Sequence, residues 1–185
     1  METKTNTLEK TLVYGLITGA GISGYLLILF ASGLISWGNL YTVKLIFSLE
    51  YLILLAGMIW AGIEIRRREA ETGITYGRAF LVTFLPGVWA GLVSSLFIFV
   101  WADVIQPDLQ EILIGRIKEA MVSIHPALSD KGYCDILHFA TRFTSPAMEF
   151  SMSLIYYIKV CAFFALIIAF FLRTKKARFY RQSEN

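Results

Sequence analysis

Four stretches of the chain are almost wholly apolar, and their lengths decide what they are. From Thr11 to Val43 there is no Asp, Glu, Lys or Arg, and from Leu45 to Ile63 there is only Glu50. Ala79 to Ala102 has no charge, and Phe150 to Leu172 has only Lys159. A helix rises about 1.5 Å per residue and the bilayer hydrocarbon is about 30 Å thick, so about 20 such residues cross it. Barrel strands are shorter and alternate in polarity, which these runs do not. The pattern predicts an all-α polytopic membrane protein, with one membrane domain over residues 1–185 and four transmembrane helices. The spans fall at about 12–36, 44–65, 78–101 and 148–172. The first run is too long for the apolar region of a signal peptide, so it is expected to remain as a helix.

Between the third and fourth spans lies a segment of about 102–147 with a different pattern. After Gln106-Pro107-Asp108, Leu109, Ile112, Leu113, Ile117, Ala120, Met121 and Ile124 recur at helical spacing. Proline in the first turn and acidic residues near it fit a helix start, and His125-Pro126 marks its end. Ser129 to Gly132 reads as a loop before a second short amphipathic stretch, with Ile136, Leu137, Phe139, Ala140 and Phe143. These apolar faces are expected to lie on the bundle or on the bilayer surface.

Composition strengthens the membrane reading. Hydrophobic residues make up 56% and charged residues 17%, against about 25% charged in soluble domains, so a polar shell is lacking. The basic residues are unevenly placed. Lys4, Lys10, Arg66, Arg67, Arg68, Arg78, Arg173, Lys175, Lys176, Arg178 and Arg181 would fall on one side. Lys44, Arg116, Lys118, Lys131 and Arg142 would fall on the other. Excess Lys and Arg mark the cytoplasmic side, so both termini are expected there and the 102–147 segment outside. Each basic cluster abuts a span, which makes it a topology signal rather than a nucleic-acid site.

Helices in lipid associate by close packing at small residues. Gly15 and Gly19, Gly57 and Ala61, and Gly87 and Gly91 form such pairs in the first three spans. Packing within one four-helix bundle is their plainer use, and a homo-oligomer is the alternative. Pro86 removes a backbone hydrogen bond inside the third span and is expected to bend it.

A charge at mid-span costs about 2.5–3.5 kcal/mol on insertion scales. Glu50 shares a helical face with Leu54, Gly57 and Ala61, while Lys159 shares one with Glu149, Met152, Tyr156 and Phe163. Both faces are expected to point inward, bringing Glu50 and Lys159 together, with Glu149 and Tyr156 as further polar candidates. Such a pair either fixes helix register or belongs to an ion-coupled path.

Catalytic signals are missing. No nucleophile–base arrangement, phosphate-cradling loop or zinc-protease pattern occurs, and Ser94-Ser95 have no histidine within the membrane to activate them. His125, Cys134 and His138 are dispersed, so neither a metal nor any other cofactor is expected.

Three segments resemble a known family. Gly73-Ile74-Thr75-Tyr76-Gly77-Arg78-Ala79-Phe80 is similar to its G-x-[ST]-[FY]-G-x-A-F entry to the third span. Gln106-Pro107-Asp108-Leu109 resembles its D-P-x-[YF]-L run, with Gln106 where Asp is common, and Thr144-Ser145-Pro146 resembles its [MT]-S-P entry to the fourth span. The family is the "domain of unknown function 4199" group, mostly from Bacteroidota. The resemblance implies a four-span protein of the bacterial inner membrane with no established biochemical role. It lends no support to a site at Glu50 or Lys159.

The expected function is therefore a non-enzymatic structural or accessory membrane component, meeting lipid and an unidentified membrane or periplasmic protein. The alternative is a small transporter or channel subunit using Glu50 and Lys159.

Overall fold

The computed structural model describes residues 2–32, 40–68, 73–122, 130–143 and 145–173. All its elements are helical, and no strand occurs among the described residues. They are α1 (Glu2–Ala31), α2 (Leu40–Arg68), α3 (Tyr76–Val100), α4 (Leu109–Val122), α5 (Asp130–Phe143) and α6 (Pro146–Leu172). Among the described residues, four stretches are long and apolar enough to cross a membrane: Leu8–Ala31, Ser48–Arg68, Tyr76–Ile105 and Pro146–Leu172. The last residues of the expected first span, 33–36, and the basic tail beyond Arg173 lie outside the described residues.

The contacts divide the chain into two compact units, Met1–Ser94 with Tyr157–Asn185, and Ser95–Tyr156. In the first, α1 packs along α2. Glycines set how closely the backbones approach. A Cβ on Gly15 would collide with Trp89 and the Pro86 carbonyl, and one on Gly19 would meet Val93 Cβ at 2.7 Å. One on Gly57 would strike Thr18 of α1. One on Gly87 would lie 2.6 Å from Cys161 Sγ, and one on Gly91 2.6 Å from Tyr157 Cβ. Ala61 is fully buried. The small-residue faces of α1, α2 and α3 are thus turned toward neighbouring helices of the same chain. α3 runs through Pro86 as one helix.

α6 has two distinct faces. Tyr157, Cys161, Ala165, Ile168 and Leu172 are buried, following a spacing of three and four. Phe163, Leu166 and Phe170 are 61%, 48% and 55% exposed on the other side. Arg173 then places its guanidinium 4.5 Å from the centre of the Phe170 ring, a cation–π contact just past the helix end.

The start of α3 is built from the first family-like segment. Gly73 has φ 70°, in the left-handed region where a side chain is strained. Ile74 next to it is buried. The Thr75 hydroxyl oxygen accepts the Arg78 backbone N–H at 3.4 Å, an N-cap contact. The Tyr76 hydroxyl donates to the Leu166 carbonyl at 3.2 Å, which ties this entry to α6.

The second unit holds the other two segments. Beyond Val100 the helix widens into a π turn, Trp101–Ile105, closed by the Gln106 N–H donating to the Trp101 carbonyl at 2.9 Å. The Trp101 indole N–H donates back to Gln106 Oε1 at 3.3 Å. This gives Gln106 a partner that an Asp, one methylene shorter, would reach less well. Asp108 then starts α4, its carbonyl accepting the Ile112 N–H at 3.0 Å. Ser145 does the same for α6, accepting the Met148 and Glu149 N–H groups at 2.9 Å, with Pro146 in the first turn.

α4 and α5 pack against each other. α5 starts at Asp130, so Lys131 and Gly132 belong to its first turn rather than to the expected loop. An acidic group at a helix N-terminus is favoured there by the backbone dipole, which the loop reading overlooked. Ile136 and Phe139 on α5 remain 44% and 61% exposed.

Candidate functional site

Among the described residues, the buried carboxylate of the first unit is Glu50. It lies on the face of α2 that also carries Leu54, Gly57, Met58 and Ala61, and only 5% of it is exposed. Gly57 approaches Thr18 and Gly21 faces Ile53, so the antiparallel register of α1 and α2 brings Tyr25 beside Glu50. Gly91 against Tyr157 and Gly87 against Cys161 fix α3 on α6. This places the Tyr157 phenol by Ser94 and Glu50.

Tyr51 and Tyr157 both direct their hydroxyls toward the Glu50 carboxyl, and their rings lie 6.2 Å apart at 50°. The approach is incomplete. Glu50 Oε2 and the Tyr157 hydroxyl are both buried and complete no hydrogen bond. Ser94 is fully buried and donates to the Ala90 carbonyl at 2.9 Å within α3. Ser23 Oγ on α1 is another buried oxygen with no partner. It follows Gly15 and Gly19 at the same spacing, and so continues the face that meets α3. The result is a polar layer within apolar helices, supplied by α1, α2, α3 and α6.

The pair expected between Glu50 and Lys159 is not formed. Lys159 is exposed. It stands two positions from Tyr157, about 200° around the helix, so it leaves α6 on nearly the opposite side. The face of Lys159 with Met152 (49% exposed), Tyr156 (53%) and Phe163 (61%) is the outward one. A charged face is therefore not the interior face of α6. Packing instead selects the side with Cys161, Ala165 and Ala169, whose small side chains admit a neighbouring backbone. The same spacing leads back to Tyr157 and was the signal that would have found it. Glu149 is half-buried in the first turn of α6, within the second unit.

The remaining candidates are dispersed. Cys134 and His138 are exposed on α5, and His125 lies outside the described residues. No group of three or more metal-binding side chains occurs among the described residues. Cys134 and Cys161 are both free thiols. Ser95 donates to Ser153 Oγ at 3.1 Å, so its hydroxyl links α3 to α6, while that of Ser94 is engaged within α3.

The sequence of the family described as "Protein of unknown function (DUF4199)" matches residues 13–174. The chain belongs to this family. DUF4199 thus covers the first candidate span from Val13 onward, the other three whole, and both helices between the third and fourth. Curated proteins give no match, and solved structures give none. Within this DUF4199 chain, the segments at Gly73–Phe80, Gln106–Leu109 and Ser145–Pro146 all serve to start helices, and none of them contributes to the Glu50 layer.

Proposed function

We propose that the chain is a non-enzymatic structural or accessory component of a bacterial inner membrane. The observation that supports this reading most is the inward use of the small-residue faces. Gly15, Gly19, Gly57, Gly87 and Gly91 each meet a neighbouring helix so closely that a single added carbon would collide. Helices in such contact leave little width for a solute path, and the bundle is better suited to holding a fixed outer surface. Purified protein in sealed liposomes should therefore dissipate imposed proton, sodium and potassium gradients no faster than empty vesicles do. A gradient-dependent flux that Glu50→Gln removes would overturn this reading.

That flux is the outcome expected of the second reading, a transporter or channel subunit. It is favoured by the unpartnered Glu50 Oε2 and Tyr157 hydroxyl, since ionisable groups within spans often mark ion or proton routes.

The orientation belongs to the same proposal. Basic residues flanking the spans favour cytoplasmic termini, with residues 102–147 on the periplasmic side. A phosphatase reporter that matures only in the periplasm should be inactive when fused at either terminus and active when inserted after Gln106. Activity at a terminus would reverse the assignment.

A further inference from the structure

The most costly unexplained feature of the surface is Lys159. It stands as far from Pro146 as from Leu172, at the midpoint of α6, and it faces away from the buried side of that helix. With a hydrocarbon core of about 30 Å, its backbone lies about 15 Å from either boundary. A lysine stem reaches roughly 6 Å, so snorkelling leaves the ammonium well inside the apolar zone. Among the described residues, no carboxylate pairs with it. Glu50 is directed at Tyr157 and Tyr51 on the other side of α6. Glu149 is about 15 Å away along the helix at 1.5 Å per residue. Glu64, on α2, is paired with Arg68 at 2.9 Å.

We propose that the Lys159 face of α6 is a docking surface for a span of another membrane protein that carries one Asp or Glu near its centre. This deepens the accessory reading and rests on it. Intramembrane lysines are rarely left toward lipid and pair with an opposite charge when one is within reach. The stripe below Lys159, made of Phe163, Leu166 and Phe170 at helical spacing, offers a ridge along which a second helix can lie. A second copy of the chain is a poorer occupant. A symmetric parallel pair through this face would oppose Lys159 to Lys159, a like-charge contact in low dielectric.

The test uses the full-length chain co-expressed in bacterial membranes with a designed polyleucine span bearing one central Asp, recovered together in mild detergent. Recovery with the Asp span should exceed that with an all-leucine span by about tenfold, the range of an interhelical polar contact. Lys159→Met should reduce it to the all-leucine level, and Lys159→Arg should preserve it. Lys159 is exposed, so both variants should keep the wild-type helical circular dichroism. Exchanging the Asp of the designed span for Leu tests the same contact without altering the chain. Equal recovery of the Asp and all-leucine spans would overturn the proposal, as would undiminished recovery with Lys159→Met. Lys159-dependent self-association without Asp-span binding would overturn it in favour of a second copy. None of these results bears on the liposome assay, so the docking surface can fail while the accessory reading stands, and flux would remove the accessory reading by itself.

Discussion

Tyr157→Ala is expected to destabilise the protein by about 3–5 kcal/mol, the usual effect of emptying the place of a buried aromatic ring. Tyr157→Phe should be neutral, or stabilising by up to about 1 kcal/mol. The ring is 2% exposed and lies where Gly91 brings α3 close to α6, so its removal leaves a void between two helices. The hydroxyl is different. It points at Glu50 and Ser94 without completing a bond, and a buried polar group left unpaired opposes folding. Unfolding in mixed micelles, followed by far-ultraviolet circular dichroism, would separate the two substitutions. If Phe proved as damaging as Ala, the hydroxyl would have to be engaged, and the polar layer would be better satisfied than its geometry indicates.

Gly87→Ala should destabilise by about 1–3 kcal/mol through overpacking, and adding Cys161→Ala should restore much of the loss. The reason lies in which atom is struck. A Cβ at position 87 meets Cys161 Sγ at 2.6 Å, while Cys161 Cβ and Met58 Sδ are at a more tolerable 3.1 Å. Removing the sulfur removes the worst contact and leaves the tight ones, so rescue is substantial without being complete. The double-mutant cycle in the same unfolding assay gives the coupling directly. Purely additive losses would mean that α3 and α6 do not meet at this point.

Much of the architecture was legible in the sequence because the bilayer enforces a simple rule. Long uncharged runs become helices, and the four runs found by counting are the four helices long and apolar enough to cross. The start of α4 after Asp108 was equally readable, because proline and aspartate have a physical preference for that position. The π turn at Trp101–Ile105 was not, since it depends on a carbonyl and an amide meeting with one residue more than an α-helix allows.

The candidate site was half legible. Glu50 was found because a carboxyl in a span is conspicuous, and its face was placed by Gly57 and Ala61. Its neighbours Tyr157 and Tyr51 were missed because they carry no formal charge and do not stand out in an apolar run, and Ser94 was weighed only as a nucleophile. Lys159 stood out equally well and misled, because charge reveals the expense of a position and not the direction in which its side chain leaves the helix. That direction is set by Cys161, Ala165 and Ala169, residues that attract little notice.

The entrance to α3 sets the phase of everything beyond it. Gly73, the Thr75 cap and the Tyr76 tether hold the first turn at one rotational setting. One residue inserted between Tyr76 and Thr83 would turn the rest of the helix by about 100°. Gly87 and Gly91 would then swing out of their seats together, and bulkier side chains would arrive in front of Cys161 and Tyr157. The family-like segment is therefore an indexing device for α3, since whatever shifts its first turn shifts both glycine seats at once.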